Sequence, residues 1–130
     1  MEVFKLSIPN KKEYVTSARL AATSVAGIHG FDIEKVEDIR LAVGEACNNV
    51  VLHGRGSQSI DIRIQMEGNQ MEICVTDRGK GFVPQKIKVV DPKDYSGSGL
   101  GLFIIDAVMD ELIVESEKEK GTTIRMIKKR

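Results

Sequence analysis

The stretch EACNNVVLHG, residues 45–54, carries a carboxylate and two side-chain amides in a run that otherwise has the spacing of an amphipathic helix. Glu45 and Asn49 lie one turn apart on the same side of that helix, whereas Asn48 points elsewhere. An amide oxygen suits Mg²⁺, since this ion keeps waters and phosphates as its other ligands. A carboxylate nearby can orient or deprotonate a nucleophile. The pair therefore predicts a metal-and-base cluster, and a plain exposed helix flank is the alternative.

A second polar cluster, DRGKGF, directly follows a strand that ends at Thr76. Asp77, Gly79 and Gly81 bend the chain sharply and let a ligand approach the backbone closely. A partly buried aspartate at a strand end can accept a hydrogen bond from an exocyclic amine. The alternative is an ordinary strand-to-loop turn, where aspartate and glycine are common.

The third cluster, SGSGLGLF, places Gly97, Gly99 and Gly101 immediately before an apolar helix. The backbone N–H groups of such a loop, with the positive end of the helix dipole, favour a phosphate. The segment lacks the GK[ST] ending of a P-loop, and no βαβ unit surrounds it as a dinucleotide site requires. Each cluster alone is weak, but their order along one chain indicates a nucleotide site.

Hydrophobic periodicity predicts the elements that must position these clusters: a strand, two helices, two strands, a long loop, a helix and two strands. We expect Asn10 and Glu13 to begin the first helix as a variant capping box, and Asp32 to cap the second. The first helix should bury a stripe of Tyr14, Ala18, Ala21 and Val25. The second should bury Val36, Ile39, Val43, Ala46 and Val50.

The strands alternate apolar and polar residues, with Phe4, Leu6 and Ile8 on one side of the first. A short EGN turn joins the two strands after the second helix, which suits a hairpin. We therefore expect one domain over residues 1–130. It should be an α+β two-layer sandwich, with a mostly antiparallel mixed sheet and helices on one face.

The composition is that of an ordinary globular protein, with 130 residues, 42% apolar and 29% charged. Nineteen basic residues balance nineteen acidic ones, which argues against broad attraction to nucleic acid or acidic lipid. There is no apolar stretch of membrane-spanning length and no signal-peptide pattern, so we expect a cytoplasmic protein. Cys47 and Cys74 are expected to be buried small hydrophobes in a reducing compartment.

The residue types and the order of the three clusters resemble those of the GHKL ATP-binding superfamily, which includes gyrase and the histidine kinases. EACNNVVLHG is similar to its N box, DRGKGF to its Asp-x-Gly-x-Gly box, and GSGLG and GTT to its later glycine boxes. Within the superfamily, the compact length and GLGLFIIDAVMDEL resemble the bacterial anti-sigma-factor serine kinases. The resemblance extends over nearly the whole chain and implies the Bergerat α/β sandwich.

The resemblance implies a role for each cluster. Glu45 would be the base that activates an incoming hydroxyl, and Asn49 would hold Mg²⁺ against the triphosphate of ATP. Asp77 would accept from the adenine amino group, and residues 83–98 would form the lid. The remaining nucleotide-binding positions would be Gly79, Gly81, Gly97, Ser98, Gly99, Leu100, Gly101 and either Thr122 or Thr123.

The resemblance also implies partners. The acceptor would be a serine of a STAS-domain anti-anti-sigma protein, the kinase would sequester a sigma factor, and a homodimer is expected. Arg19 on the first helix is the candidate for the docking surface, with a solvated arginine as the alternative. No direct contact with nucleic acid or membrane is implied.

The sequence departs from some relatives at Gly97, where they carry an arginine within reach of the terminal phosphate. Arg78, Lys80 and Lys93 are the candidates to replace it. Two alternative functions stay open: a protein-binding module that ATP switches and that transfers little phosphate, and a STAS-protein kinase in a pathway without a sigma factor.

Overall fold

The computed structural model describes residues 2–79, 99–117 and 119–130. The expected lid, residues 83–98, therefore lies outside the described residues. A short 3₁₀ helix, Lys12–Tyr14, precedes the first α-helix. The helices are α1 (Val15–Ile28), α2 (Ile33–His53) and α3 (Gly99–Val108). The strands are β1 (Val3–Pro9), β2 (Ser59–Glu67), β3 (Gln70–Asp77), β4 (Glu111–Glu117) and β5 (Gly121–Lys129).

The described strands form a sheet in the order β1-β2-β3-β5-β4, and each neighbouring pair is antiparallel. The apolar residues on one face of β2, β3 and β5 enter a hydrophobic cluster with the helices, as Ile62, Val75 and Ile124 do in one cross-strand row. The α+β two-layer fold class is confirmed. Because β5 lies between β3 and β4, the start of β5 is placed beside the end of β3.

Helix α2 forms as its sequence predicts. The side chain of Asp32 accepts a hydrogen bond from the N–H of Lys35 at 3.0 Å and so caps the first turn. The expected stripe is confirmed from Ile39 to Val50, all of it fully buried, and Val36 packs partly buried against it. Gly44 on the same helix lets Arg19 of α1 approach closely.

The start of α1 differs from the prediction. Asn10 does not cap the helix: its Nδ2 donates to the carbonyls of Gly54 (3.3 Å) and Ser57 (3.0 Å) instead. The 3₁₀ turn shifts the phase of the helix, so that Val15 is buried while Tyr14 is 43% exposed. The buried stripe is Val15, Ala18, Ala22, Val25 and Ala26.

The two cysteines lie in different places. Cys47 is completely buried in α2, as expected. The prediction of burial is wrong for Cys74, which is half-exposed and faces away from the helices, between Arg63 and Arg125 in the sheet. Its Sγ contacts Oε1 of Glu72 at 3.6 Å, so this thiol belongs to a charged sheet face. None of the described helices has the length and apolarity to cross a membrane.

Lys128 is a buried cation that joins three elements. It lies in β5 with 8% of its surface exposed, and its Nζ is 3.0 Å from Oδ2 of Asp38 in α2. The same Nζ donates to the carbonyl of Val108 at the end of α3. A buried ammonium needs such partners, because burial removes its hydration. The contact therefore links the far end of α3 to α2 and the sheet.

We expect Asp38→Ala to lower the free energy of unfolding by about 2 kcal/mol, because it leaves a mostly buried ammonium without its carboxylate. Urea unfolding of the purified variant measures this change. Glu37→Ala is the matched control, since Glu37 forms an exposed pair with Arg40 on the same helix and should cost about 0.5 kcal/mol or less. Equal losses in the two variants would contradict the role given to Lys128.

Candidate nucleotide site

The structure brings the first and third sequence clusters together. Glu45 and Asn49 are half-buried and lie one turn apart on the same flank of α2. A Cβ atom added at Gly101 would lie 3.3 Å from Oε2 of Glu45. The carboxylate of Glu45 therefore lies against the first turn of α3, and glycine at 101 leaves room for it.

The first turn of α3 contains Gly99, Leu100 and Gly101. N–H groups in the first turn of a helix have no partner within the helix, and the helix dipole places partial positive charge there. An anionic group is the ligand that suits such a position. Gly97 and Ser98, predicted for the same loop, lie outside the described residues.

Asp77 is the acceptor of the second cluster and is only 4% exposed. Its Oδ1 accepts from the N–H of Gly79 at 2.7 Å, and the N–H of Thr122 also donates to the carboxylate. Burial raises the pKa of Asp77 above its ordinary value, and these two hydrogen bonds partly oppose the rise. A carboxylate has about four lone-pair positions, so it can accept from a ligand as well.

Three glycines allow the chain to close around Asp77. A Cβ atom at Gly54 would lie 3.3 Å from Cγ of Asp77, and one at Gly79 would lie 2.9 Å from its Oδ1. Gly121 has φ of +97°, and a Cβ there would collide with the backbone of Asp77 and Arg78. Sequence reasoning singled out Gly79 as a site residue but not the other two, although both stand in the quoted boxes.

The turn after α2 supports this end of the site. Ser57 accepts from the N–H of Arg78 through its Oγ at 3.0 Å, and Asn10 holds the carbonyls of Gly54 and Ser57. These contacts connect the end of β1, the end of α2 and the turn after Asp77. The role of Asn10 was missed because its partners are more than forty residues away in the chain.

Helix α2 sets the span of the site. Glu45 lies beside α3, and the C-terminal cap Gly54 lies beside Asp77. These two levels are about 14 Å apart along the helix axis. Asn49 lies between these two levels, and the first turn of α3 and the buried carboxylate of Asp77 lie at the two ends of this stretch.

The faces of β5 separate the two candidate threonines. Thr122 is buried and shares the core face with Ile124 and Met126, directly opposite Asp77 in the register. Thr123 lies on the other face of the sheet, where its Oγ1 is 3.2 Å from that of Thr76. Thr122 is therefore the threonine beside the carboxylate.

Arg19 lies across the interface of α1 and α2. It is half-buried, and its guanidinium occupies the space that a side chain at Gly44 would take. Burial raises the pKa of the nearby Cys47 thiol to about 12, and the charge of Arg19 opposes that rise. Arg78 is exposed. The other predicted positions, Lys80, Gly81 and Lys93, lie outside the described residues.

Comparisons with known proteins identify the family of this chain. Residues 8–128 match the family of histidine kinase-like ATPase domains. The serine-protein kinase RsbW of Halalkalibacterium halodurans is 32% identical over 98% of this chain and 83% of its own. An anti-sigma F factor of Clostridium botulinum is 34% identical over 95% of this chain and 92% of its own.

Solved structures share the fold. The crystal structure of the RsbU and RsbW domains of a Mycobacterium tuberculosis protein superimposes with a TM-score of 0.76 at 18% identity, over 99% of this chain. This chain spans about a third of that structure, 32% of its length. The mycobacterial sensor histidine kinase MprB superimposes with a TM-score of 0.60 at 19% identity, over 97% of both chains.

The fold and the site define an ATP-using domain of the histidine kinase-like type. The chain belongs to the histidine kinase-like ATPase family and, within it, to the group of RsbW serine-protein kinases and anti-sigma F factors. The resemblance drawn from the sequence motifs is therefore confirmed.

We expect Asp77→Asn to stabilise the ligand-free protein at neutral pH. The pKa of this carboxyl is higher in the folded protein than the ordinary value of 3.8. Between the ordinary pKa and the raised one, the folded state therefore binds more protons than the unfolded state. The stability of the protein falls as the pH rises through this range. Asparagine keeps one amide oxygen that can accept from the N–H of Gly79, and it carries no buried charge. Urea unfolding at several pH values should show a gain that vanishes below about pH 3.8.

Asp106→Asn is the control for this experiment, because Asp106 is exposed in α3 and its substitution should change the free energy of unfolding at pH 7 by about 0.5 kcal/mol or less. A loss of stability at pH 7 in Asp77→Asn would contradict this prediction. It would mean that the ionised carboxylate stabilises the folded protein despite its burial.

Proposed function

We propose that this protein is an anti-sigma factor with Mg-ATP-dependent protein-serine kinase activity. Its substrate is a serine of a STAS-domain anti-anti-sigma partner, and it also sequesters a sigma factor. The observation that carries the proposal is the carboxylate of Glu45 against the first turn of α3. This contact supports a role for Glu45 as a base next to the phosphates. Relatives named serine-protein kinase and anti-sigma factor support the assignment.

The buried end of the site suits an adenine base. Asp77 supplies an acceptor for an exocyclic amine, and Gly79 keeps its oxygen in place. Gly54, Gly79 and Gly121 let the backbone pack closely around Asp77. The residues present therefore fit the base that the family uses. Gly81 stays a predicted contact of the same end.

The other end suits the triphosphate and its metal ion. Gly99, Leu100 and Gly101 offer backbone N–H groups to phosphate oxygens. Asn49 offers an amide oxygen to Mg²⁺, which neutralises phosphate charge when it is bound. Gly97 and Ser98 stay predicted contacts of the same loop.

Glu45 is the residue we assign as general base. A serine hydroxyl brought to this flank of α2 meets the carboxylate at the level of Gly101, where the phosphate site begins. Phosphoryl transfer depends mainly on positioning and charge neutralisation, so a site with few reactive side chains is sufficient. Arg19 stays our candidate for docking the protein partner, and a homodimer in the cytoplasm stays a prediction.

A second candidate function is a protein-binding module that ATP switches with little phosphate transfer. It is favoured by glycine at position 97, where some relatives carry an arginine. A third candidate, a kinase of a STAS protein in a pathway without a sigma factor, differs from the main proposal only in its partners.

We expect Glu45→Gln to keep its affinity for Mg-ATP but to transfer phosphate about 10²- to 10⁴-fold more slowly, because it removes a general base. The assay incubates each protein with radiolabelled Mg-ATP and the STAS-domain proteins of the same genome, and then identifies labelled phosphoserine. Full transfer by the variant would refute the role of Glu45. ATP binding by the parent without transfer to any STAS protein would favour the binding module.

We expect Asn49→Ala to weaken Mg-ATP binding by about tenfold or more, a usual effect of losing a group at a metal site. Calorimetry with ATP, in the presence of either Mg²⁺ or EDTA, should show that the loss depends on the metal. Asn48→Ala is the matched control, since Asn48 is the neighbouring amide and points away from this flank. An equal affinity of Asn49→Ala and the parent would remove Asn49 from the metal site.

A further inference from the structure

Three polar side chains form one buried row across the end of the sheet. Asp77 lies opposite Thr122 in the register, and Thr122 lies opposite Ser116 of β4. Their exposed fractions are 4%, 6% and 7%, and Lys128 is the one other polar residue that the described part of the chain buries. Because buried polar groups are costly unless they are bonded, each member of this row needs a hydrogen-bond partner.

Ser116 is bonded to the threonine beside the carboxylate. Its Oγ lies 2.8 Å from Oγ1 of Thr122, a normal distance for two hydroxyls. The same Oγ lies 3.4 Å from the carbonyl of Gly121, which is a long and weak contact. Each hydroxyl has one proton to donate.

This arrangement leaves the proton of Thr122 available to a ligand. When Ser116 donates to Oγ1 of Thr122 across the 2.8 Å contact, the threonine hydroxyl can donate elsewhere. In that orientation Ser116 does not donate along its long contact to the carbonyl of Gly121. A hydroxyl that receives a hydrogen bond is also polarised into a better donor.

We propose that Ser116 is a positioning residue for recognition of the base, acting through the hydroxyl of Thr122. The row then presents an acceptor at Asp77 and a donor at Thr122 side by side. Adenine has the complementary pair, an amine that donates and a ring nitrogen that accepts. These groups can bond to the row directly or through a water molecule. Guanine offers an oxygen acceptor and a ring N–H donor, which is the opposite pattern. The inference rests on the proposed function, since it assumes that the base lies beside Asp77.

The test is a double-mutant cycle on nucleotide affinity, measured by calorimetry with Mg-ATP and Mg-GTP. Ser116→Ala should weaken ATP binding about fivefold, the size of one lost hydrogen bond, and narrow the preference for ATP over GTP. Ser116→Thr restores a hydroxyl and should regain most of the affinity. In a Thr122→Val background, Ser116→Ala should have no further effect, because the group through which it acts is absent.

Thr76→Val is the matched control. It removes the neighbouring hydroxyl pair, which joins β3 and β5 on the other face of the sheet, and should leave both affinities unchanged. Ser116→Cys keeps nearly the volume of serine with a weak donor, so it provides a second loss variant if Ser116→Ala unfolds.

The outcomes separate the two proposals. Equal losses from Ser116→Ala in the parent and in Thr122→Val would show a purely structural role and overturn the inference. Unchanged ATP affinity in both Ser116→Ala and Ser116→Cys would overturn it as well. If the parent itself bound ATP no better than GTP, the adenine site of the proposed function would fall, and the inference with it.

Discussion

The packing of α2 between α1, α3 and the sheet is the constraint on which the rest of the structure depends. One stripe of this helix, from Ile39 to Val50, is fully buried against the strands. The stripe sets the rotation of the helix, and with it the direction of every other side chain. Glu45 consequently faces α3, and Gly44, one residue earlier, faces Arg19 of α1.

The two flanks of α2 therefore meet different neighbours at the same level of the helix. On one flank the guanidinium of Arg19 lies over Gly44, and on the other the carboxylate of Glu45 lies beside Gly101. In our proposal the first flank meets a protein partner and the second performs phosphoryl transfer. A partner that docks against Arg19 would thus lie within one helix diameter of the proposed base, about 10 Å.

The site lies where the hydrophobic core ends. The core-facing row of β3, β5 and β4 is apolar at Val75, Ile124 and Val114, and the next row is polar at Asp77, Thr122 and Ser116. Burial raises the pKa of the Asp77 carboxyl. The buried charge therefore lowers the stability of the folded protein, which a hydrophobic residue at this position would not do. The cost is understandable if recognition of a base needs an acceptor in a place without water.

Much of the fold and the family of this protein could be predicted from its sequence alone. Periodicity and capping residues predicted α2 and the hairpin of β2 and β3, because those signals act between residues close in the chain. The motifs also predicted the family, since each box needs particular residue types at fixed spacing. Local signals failed where distant groups compete: Asn10 bonds to Gly54 and Ser57 rather than to its own helix.

Only the tertiary structure decided how the clusters meet. The insertion of β5 between β3 and β4 places Thr122, not Thr123, beside Asp77, and brings Ser116 against it. The approach of α3 to α2 places Gly101 against Glu45. Strand order and helix packing depend on how the whole apolar surface is buried at once, and no window of the sequence contains that information.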